Sequence, residues 1–495
     1  MTKALVIGDI MLDVTVECEV ARVSPEAPVI VGKEVGRRKA LGGAANVAAN
    51  LKSLGVDEVH LRGVIGSDEA GEDIEMWCKE YGIEQRTEHR NGQRTTVKTR
   101  YVADGQLIFR HDSERHYLAD KDYGNMLSQA KIDVAEYDVI VFVDYDKGVV
   151  NDYDTVKLIA QAMAAQVPVV VDCKPCNLPF FTGAAFITPN EAELAEMCLL
   201  YLPAVAGGPP EPDTHKLASA FEIQWVVCTL GGAGLDVYAV ARDYLRNSIE
   251  PPLRFLPKRT RRVYDVTGAG DVVTAALGSS LACLVGPGRD HLFLPAADHA
   301  MFEFANTAAG LAVEQPGTTV VDRAAVLTAV AEDSLSSKIL LEGAEDVVAG
   351  HQAVGSCVVF TNGCFDLLHP GHVYLLHAAK SEGDVLVVAV NSDESVRALK
   401  GERRPILPLH LRMSALASLD VVDCVVSFDE ETPEALIRKL KPDVLVKGKH
   451  AGTDCPHQDD PVPGADFMAA RGARVVFIDT IPGYSTTAVL AGEAS

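Results

Sequence analysis

Val263-Tyr264-Asp265-Val266-Thr267-Gly268-Ala269-Gly270-Asp271, followed by the apolar residues 272–277, is the stretch around which most of this chain is organised. An apolar helical pattern begins where the small residues end, so Gly268-Ala269-Gly270 is predicted to form the first turn of a helix. The free N–H groups and the positive dipole end of that turn make an anion site, which small residues leave open to a phosphate. Asp271 would lie beside the phosphate and accept a proton from an attacking hydroxyl. This combination favours phosphoryl transfer; a helix start with a capping Asp is the alternative without function.

The composition indicates a globular protein with more than one core. A chain of 495 residues exceeds what one core usually supports, so two domains are expected. Hydrophobic residues make up 48% of the chain and charged residues 23%, which is typical of folded proteins. The net charge of -24 argues against nucleic acid as the main partner, because no broad basic surface is available.

The cysteines and the N-terminus indicate a cytoplasmic protein. The eleven cysteines are scattered and fit no secreted disulfide framework. Cys173-Lys174-Pro175-Cys176 is a C-x-x-C, but no second pair follows at zinc-finger spacing, so no metal site is predicted there. Gly8 and Asp9 interrupt the first apolar run, and neither a signal peptide nor a membrane span is expected.

The N-terminal part alternates strands with polar turns. Residues 4–7 read as a buried strand that ends at Gly8-Asp9, and ligands gather at such carboxyl ends in open α/β sheets. Asp9 and Asp13 are therefore candidates for binding substrate hydroxyls, or are turn residues. Residues 14–20 and 28–35 suggest the strands of a small flap outside the main sheet. In residues 41–48, Gly42-Gly43 leads into a helix that places Asn46 in the ligand zone.

A hairpin with three cations is predicted next. Residues 95–101 and 107–112 flank Ala103-Asp104-Gly105, which is a strong hairpin signal. Lys98, Arg100 and Arg110 cluster on these strands in an otherwise acidic protein. They either meet an anionic substrate or protect an edge strand by their charge.

Apolar strands then alternate with helical patterns, at residues 139–143, 169–172, 185–188 and 225–229. This rhythm predicts a parallel sheet with helices on both faces. The carboxyl ends of these strands carry polar residues, among them Asp144, Lys147, Asp172, Lys174, Asn190, Glu193 and Thr229. The Gly-rich turn from Thr229 to Gly234 suits close approach by a nucleotide, and Asn306 lies among small residues that permit packing against an adenine.

A second α/β unit is predicted after a polar linker with a loosely amphipathic helix, at residues 333–355. A strand at residues 357–361 leads into Asn362-Gly363-Cys364-Phe365-Asp366-Leu367-Leu368-His369-Pro370-Gly371-His372, which opens a helix. His369 and His372 are interpreted as donors to a triphosphate; metal binding is the alternative, although a helix N-terminus favours anions. Lys447 follows a strand directly, where a cation would meet phosphates, and Ser485-Thr486-Thr487 form a hydroxyl-rich helix cap.

These motifs together resemble two known families. Residues 1–332 resemble the ribokinase-like sugar kinases through residues 265–271, Gly42-Gly43 with Asn46, Thr188-Pro189-Asn190, and Thr229 to Gly234. Residues 356–495 resemble cytidylyltransferase-like nucleotidyltransferases through His369-Pro370-Gly371-His372 and residues 484–487. The order of the two is similar to the bifunctional heptose 7-phosphate kinase / heptose 1-phosphate adenylyltransferase family. The resemblance implies an α/β fold, with a ribokinase-like parallel sheet and small β flap followed by a Rossmann-like domain.

The resemblance also implies roles for individual residues. Asp271 would be the kinase base and Gly268, Ala269 and Gly270 the anion hole. ATP would be lined by Asn190, Glu191, Ala192, Glu193, Thr229, Gly231, Gly234 and Asn306, and the sugar by Asp9, Asp13, Gly42, Gly43 and Asn46. In the second domain, His369 and His372 would be catalytic, and the nucleotide would contact Asn362, Phe365, Asp366, Lys447, Ser485, Thr486 and Thr487.

The expected function follows from the same resemblance. The kinase would phosphorylate O1 of D-glycero-β-D-manno-heptose 7-phosphate, and the second domain would make ADP-heptose for lipopolysaccharide core. Both steps would use Mg²⁺-ATP, with the ion held by phosphates and water rather than by a protein cage. A homodimer and a separate heptose bisphosphate phosphatase are the expected partners. The alternatives are another phosphosugar, CTP in the second step, or a nucleotide-sensing protein without catalysis.

Overall fold

The computed structural model describes residues 1–90, 94–114, 132–203, 213–239, 252–256, 263–284, 297–340, 343–450 and 462–480. The chain divides into two compact units, Met1–Val330 and Ala331–Ser495.

The strands of the first unit are β1 (Lys3–Gly8), β2 (Ile10–Val23), β3 (Ile30–Gly43), β4 (Glu58–Arg62), β5 (Val64–Gly66), β6 (Glu84–Gln85), β7 (Glu88–Arg90), β8 (Thr96–Ala103), β9 (Gln106–Ser113), β10 (Val139–Val143), β11 (Val169–Asp172), β12 (Phe186–Ile187), β13 (Trp225–Thr229), β14 (Leu235–Ala239) and β15 (Leu253–Phe255). Its helices are α1 (Ala44–Ser53), α2 (Glu69–Glu80), α3 (Asp152–Ala164), α4 (Glu191–Tyr201), α5 (Thr214–Ala220), α6 (Ala269–Leu284), α7 (Ala297–Ala312) and α8 (Arg323–Lys338), the last of which includes the division point.

The main sheet of the first unit has helices on both faces, as predicted. Within the described residues its order is β15-β14-β13-β12-β11-β10-β1-β4-β6, and β13 to β6 run parallel. Alternate residues of a strand point to opposite faces. Val6 and Val141 accordingly belong to the apolar cluster that includes α1 and α6, whereas Leu5 and Ile140 belong to the cluster that includes α3. A strand buried on both faces needs an unbroken apolar run, and residues 139–143 supply one.

The β15 edge departs from the predicted parallel sheet. After β13 the chain turns back through a short 3₁₀ turn, Gly231–Ala233, and β14 and β15 pair antiparallel. The N–H of Leu230 donates to the carbonyl of Gly234 (2.9 Å), which closes this turn. The sheet is therefore mixed, since a tight turn can join only antiparallel neighbours.

The predicted flap is a four-stranded sheet in the order β3-β2-β8-β9. β2 pairs antiparallel with β3 and parallel with β8, and β8 forms the predicted hairpin with β9. Asp104 and Gly105 turn this hairpin with φ values of 49° and 76°. β2 begins one residue after β1 ends, so the flap rises directly from the carboxyl edge of the main sheet.

The second unit is a parallel sheet covered by helices. Its strands are β16 (Val358–Gly363), β17 (Val385–Asn391), β18 (Cys424–Phe428), β19 (Val444–His450) and β20 (Arg474–Thr480), in the order β18-β17-β16-β19-β20. Its helices are α9 (Ala344–Ala353), α10 (Pro370–Lys380), α11 (Asp393–Lys400), α12 (Leu409–Ala417), α13 (Glu434–Leu440) and α14 (Ala465–Ala470).

The segment 333–355, predicted as a linker, is packed structure over its described residues. It holds the end of α8 and the whole of α9. Ala344 and Val348 are buried in the apolar core of the second unit, and the N–H of Leu340 donates to the carbonyl of Val425 (2.9 Å). The second unit therefore begins before residue 356.

Candidate functional site

The Gly-rich stretch forms the start of a helix, as predicted. α6 begins at Ala269, and Gly268 has a φ of 77°, in the left-handed region that favours glycine. A Cβ at Gly268 would come within 2.9 Å of the Thr318 side chain, whereas one at Gly270 would meet no heavy atom within 4 Å. The space in front of Gly270 is thus open. The N–H groups of the first turn have no partner within the helix, although that of Ala269 donates to the carbonyl of Val266 just before it (3.3 Å). This geometry suits a phosphate group.

Asp271 lies at this helix start with both carboxylate oxygens engaged. It is 3% exposed; Asn46 Nδ2 donates to Oδ2 and the Tyr145 hydroxyl donates to Oδ1, each at 2.9 Å. Burial raises the pKa of Asp271 to about 6, against the two hydrogen bonds, which lower it. Such a carboxyl is ionised at neutral pH and can still take up a proton. We call the space bounded by residues 268–271, Tyr145, Asn46, Asp9 and Asp13 the kinase pocket.

Tyr145 was missed by the sequence analysis although it joins several parts of the kinase pocket. Its hydroxyl donates to Asp271 and its backbone N–H donates to Asp9 Oδ2 (2.8 Å). The Nζ atoms of Lys98 and Lys174 lie 4.3 and 5.5 Å from its ring centroid. Its position directly after Asp144, at the end of a buried strand, was the available signal.

Asp9 and Asp13, both predicted to bind the sugar, differ in how their oxygens are used. Asp9 Oδ2 accepts from the N–H groups of Tyr145 and Lys147, while Asp9 Oδ1 is buried without a partner among the described residues. Burial raises the pKa of Asp9 to about 7, with a contribution from Asp144. Asp13, in contrast, accepts from Arg100 (Oδ1) and Thr318 (Oδ2), each at 2.8 Å. Of the two residues, Asp9 is the one with a carboxylate oxygen that has no partner among the described residues.

Gly42 and Gly43 bring β3 into close contact with the pocket residues. A Cβ at Gly42 would lie 2.6 Å from Asp13 Oδ2, and one at Gly43 would lie 2.4 Å from the Asp9 carbonyl oxygen. These glycines are needed because the protein's own atoms approach them. Asn46, one turn into α1, is the member of this group that reaches Asp271.

The predicted nucleotide residues on the other side of the pocket form a helix cap. Asn190 caps α4: its side chain accepts from the N–H of Glu193 (2.9 Å), and Glu193 Oε2 accepts from the N–H of Asn190 (3.1 Å). Glu193 Oε1 also accepts from Lys174 Nζ (2.6 Å). Glu191 and Ala192, in the first turn of α4, are exposed.

Thr229 and the Gly-rich turn continue this side of the pocket. Thr229 forms a parallel bridge with Asn190, and its N–H donates to the Pro189 carbonyl (2.9 Å). Gly231 has a φ of 56° with open space where a Cβ would lie, and Gly234 has a φ of 93°. Asn306 donates from Nδ2 to the Leu256 carbonyl (2.6 Å), which uses one of the two hydrogens of its amide nitrogen.

In the second unit, the two histidines stack on each other at the start of α10. Their ring centroids lie 3.7 Å apart, and Phe365 packs 5.1 Å from His372. Burial lowers the pKa of His372 to about 4, and burial also lowers the pKa of His369. Both Nδ1 atoms are buried without a partner among the described residues. A cavity of about 600 Å³ adjoins His369, with Tyr374 on its wall.

Lys447 places a cation at the end of the neighbouring strand. β16 and β19 pair in parallel, so Asn362 and Lys447 lie side by side at the carboxyl edge, and Lys447 Nζ donates to Asn362 Oδ1. Burial lowers the pKa of Lys447 to about 8. An anion arriving at this edge would meet a dehydrated ammonium group, which strengthens their attraction.

Asp366, predicted to contact the nucleotide, is bonded within the protein. It is 1% exposed and accepts from Arg404 and from the N–H of Ile406 (2.5 Å). Arg412, also 1% exposed, donates to the carbonyls of Cys364 (2.6 Å) and Leu407 (3.0 Å). Through these contacts the two buried charges hold the loop that precedes His369 against residues 404–407. They therefore position the loop of the site from its protein-facing side.

Three further predictions concern residues 485–487, the C-x-x-C segment and membrane spans. Ser485, Thr486 and Thr487 lie outside the described residues. Cys173 is buried and Cys176 is exposed, and both thiols are free. None of the described helices is long and apolar enough to cross a membrane.

Two protein-family models match the chain, and each covers one of the two sites. Residues 1–324 match the model of the pfkB family carbohydrate kinases, and residues 360–490 match the cytidylyltransferase-like model. The first match contains Asp271 and the second contains the His pair.

Relatives match over nearly the whole chain. The Bifunctional protein HldE of Azorhizobium caulinodans is 39% identical, over 98% of this chain and 97% of the relative. The chain belongs to the HldE family. Another HldE, from Geobacter metallireducens, is also 39% identical, over 99% of this chain and 95% of its own length.

Solved structures resemble the kinase part of this HldE-family chain. Phosphofructokinase-2 from Escherichia coli superposes with a TM-score of 0.51 at 16% identity, over 67% of this chain and 99% of that structure. Ribokinase from Giardia lamblia superposes with a TM-score of 0.51 at 18% identity, over 67% of this chain and all of that structure (100%). At these identities the likeness concerns the fold alone, and it confirms the ribokinase-like architecture of the first unit.

Proposed function

We propose that this HldE-family protein is a bifunctional enzyme of ADP-heptose synthesis, with a sugar-phosphate kinase and an adenylyltransferase on one chain. The observation that carries the proposal is the presence of two separate helix starts, each suited to an anion and each beside a reactive group. The first is Asp271 at α6 and the second is the His369–His372 pair at α10. Phosphoryl and nucleotidyl transfer need such positioned groups around a phosphate.

In the kinase step, Asp271 takes the proton of the O1 hydroxyl of D-glycero-β-D-manno-heptose 7-phosphate. The O1 oxygen attacks the γ-phosphorus of ATP, the bond to the β-phosphate oxygen breaks, and ADP leaves. The N–H groups at Gly268, Ala269 and Gly270 stabilise the charge on the transferred group. The open Asp9 Oδ1 is available to a sugar hydroxyl.

The nucleotide in this step lies on the β12–β13 side of the pocket. Asn190 to Glu193 and the turn from Thr229 to Gly234 border it, and the open space above Gly231 permits a close approach. Asn306 contributes to the adenine end through α7, with its carbonyl oxygen and the second hydrogen of its amide nitrogen.

In the adenylyl step, an oxygen of heptose 1-phosphate attacks the α-phosphorus of ATP and pyrophosphate leaves. His369 and His372 donate to the triphosphate, and Lys447 neutralises charge that develops as the bond breaks. Asn362 holds Lys447, and Asp366 with Phe365 holds the loop that carries the histidines. Ser485, Thr486 and Thr487 complete this site by family resemblance.

Mg²⁺ is the expected metal in both steps. The described residues contain one group of three metal-ligating side chains, Glu58, His60 and Glu84, in the body of the sheet, where Lys3 and Arg86 pair with its carboxylates. We expect the ion to arrive on the phosphates of ATP, held by phosphate oxygens and water rather than by a protein cage. When bound, Mg²⁺ neutralises phosphate charge and orients the chain of phosphates.

The substrate assignment has a direct test. Purified protein is incubated with a panel of phosphosugars and with ATP or CTP, and products are identified by mass spectrometry. We expect heptose 1,7-bisphosphate from heptose 7-phosphate, and ADP-heptose from heptose 1-phosphate with ATP. Turnover of another phosphosugar or of CTP would favour those alternatives, and binding without turnover would favour a nucleotide sensor.

A separate heptose bisphosphate phosphatase is expected between the two steps. The kinase product carries two phosphates, and a site shaped for a 1-phosphate rejects the extra dianion because it lacks partners for it. With heptose 7-phosphate and Mg²⁺-ATP alone, the bisphosphate should accumulate with almost no ADP-heptose until the phosphatase is added. Prompt formation of ADP-heptose and pyrophosphate would contradict this.

A homodimer in the cytoplasm, where ATP is available, completes the proposal. The outer part of the flap exposes large apolar side chains, including Val23, Val29, Val35, Leu107 and Phe109. Exposed apolar patches of this kind mark interaction surfaces. Light scattering should give twice the chain mass of 52.9 kDa, and Phe109→Asp combined with Leu107→Asp should give the monomer.

A further inference from the structure

Lys98, on the flap strand β8, is a cation beside the kinase pocket that has no carboxylate partner. Its Nζ atom lies over the ring of Tyr145, 4.3 Å from the centroid. Across the described ranges of the chain, no hydrogen bond or salt bridge engages this ammonium group. The sequence presents Lys98, Arg100 and Arg110 as equivalent, and the structure separates them.

The two arginines are neutralised by the carboxylates that flank Lys98. Strand register places Lys98 between Asp13 on β2 and Asp112 on β9. Residues directly opposite each other on neighbouring strands share a face and would normally pair. However, Arg100 binds Asp13 at 2.8 Å, and Arg110 binds both oxygens of Asp112.

The other lysines near the pocket are also paired. Lys174 Nζ lies 2.6 Å from Glu193 Oε1, and Lys147 Nζ lies 2.8 Å from Glu114 Oε2. Lys98 is therefore the ammonium group at this pocket that remains available to an incoming anion, as far as the described residues go.

The position of Lys98 indicates which anion it would bind. The reacting O1 must lie at Asp271, and the phosphoryl group arrives from the side of β12 and β13. The rest of the sugar then extends towards β1 and the flap, where one phenol ring, Tyr145, separates Lys98 from Asp271. We propose that Lys98 binds the phosphate that the sugar substrate already carries, so that the kinase selects a phosphorylated over a free sugar. This inference rests on the proposed kinase function.

The electrostatics agree with the geometry. Burial lowers the pKa of Lys98, although the charges of Asp13, Asp271 and Asp112 raise it, so the charged form is poorly solvated in the free protein. A phosphate dianion would replace the lost water with a charge-assisted hydrogen bond, and lysine acts on phosphate as a compact point charge.

The test compares heptose 7-phosphate with unphosphorylated heptose as acceptors for wild type, Lys98→Met and Lys98→Arg. For Lys98→Met, we expect the KM of heptose 7-phosphate to rise by about 10- to 100-fold, the range for loss of a hydrogen bond to a charged group. Turnover of free heptose and the KM of ATP should stay the same. Lys98→Arg should retain most of the preference, because it keeps the charge.

Lys39→Met is the matched control. Lys39 is also a flap lysine, but its Nζ is bonded to Asp73 (2.6 Å) and Glu69 (3.0 Å). This variant should keep the wild-type preference, and thermal melts of all variants report whether they fold.

Two results would overturn the inference. An unchanged preference in Lys98→Met would mean that Lys98 does not contact the phosphate of the sugar. A fall in kcat by the same factor for both acceptors would assign Lys98 to the transferred phosphoryl group instead.

Failure of the proposed function is distinguishable from these results. If wild type phosphorylates no heptose 7-phosphate, the kinase assignment fails, and calorimetric titration with inorganic phosphate still tests the site. Weaker phosphate binding by Lys98→Met than by Lys39→Met would support the anion site. Equal binding by the two variants would remove it.

Discussion

Replacing Tyr145 by Phe should move the pH dependence of the kinase without removing its base. The change deletes one hydroxyl, whose hydrogen bond to Asp271 Oδ1 is 2.9 Å long, and leaves the ring in place. Burial and the nearby Asp271 carboxylate raise the pKa of Tyr145 well above its usual value, so wild-type Tyr145 is a neutral donor throughout the working pH range. The other groups facing Asp271 are Asn46, which donates to Oδ2, and the ionisable side chains of Asp13, Lys98 and Asp172.

The size of the effect follows from these contacts. Burial raises the pKa of Asp271 to about 6, and the hydrogen bond from Tyr145 opposes that rise. A hydrogen bond to a charged group is worth about 1.5–3 kcal/mol, and about 1.4 kcal/mol corresponds to one pKa unit. The pKa of Asp271 in Tyr145→Phe should therefore lie between about 7 and 8.

The direction of the pH dependence follows from the role of Asp271 as a base. Asp271 accepts a proton only when ionised, so activity is present above its pKa and is lost as the pH falls through it. The acid limb of kcat/KM should begin below about pH 6 in wild type and at about pH 7 to 8 in Tyr145→Phe. The plateau at high pH should fall far less than the value at pH 6.5.

The assay is kcat/KM for sugar phosphorylation from pH 5 to 9, with Tyr201→Phe as the control. The Tyr201 hydroxyl donates to the carbonyls of Pro175 and Cys176, away from Asp271, so its loss should leave the profile in place. If the Tyr145→Phe profile superimposes on that of wild type, the hydrogen bond does not set the pKa of Asp271, and the reasoning fails.

Four further predictions concern the two reactive sites. Asp271→Asn should lower kinase turnover by about two orders of magnitude or more while adenylyl transfer stays unchanged; near-normal phosphorylation would exclude Asp271 as the base. His372→Ala should abolish nucleotidyl transfer and leave sugar phosphorylation intact, and elemental analysis of wild type should find no stoichiometric zinc if His369 and His372 serve phosphate. Because burial lowers the pKa of His372 to about 4, triphosphate binding should raise that pKa and take up protons near pH 6; calorimetry in buffers of different ionisation enthalpy should detect the uptake in wild type and less of it in His372→Ala. Gly270→Val should keep the fold, since its side chain meets open space, but should weaken ATP binding in the kinase site, measured as a rise in the KM of ATP.

Several elements and site residues could be predicted from the sequence because their signals are local. The short apolar run at 139–143, rich in β-branched residues, is typical of a strand buried on both faces, and Asp104-Gly105 between two strand patterns is typical of a hairpin turn. Small residues before an apolar helical pattern predicted the start of α6, and with it the position of Asp271. The antiparallel strands β14 and β15 were missed, since the turn at Gly231–Ala233 is compatible with either a reversal or a ligand loop.

The tertiary structure decided which side chains contact each other when their residues lie far apart in the chain. Tyr145 and Asn46 lie 126 and 225 positions from Asp271, and only the parallel sheet with its crossing helices brings the three side chains together. The motif around Asp366 suggests a nucleotide ligand, but the carboxylate of Asp366 is hydrogen-bonded to a loop 40 residues later in the chain. Lys98, Arg100 and Arg110 are equal in the sequence, because charge and residue type carry no information on partners. The register of β2, β8 and β9 places Lys98 opposite both carboxylates, but the side chains of Arg100 and Arg110 bind them and leave the lysine open to an anion. Such pairings depend on the assembled sheet.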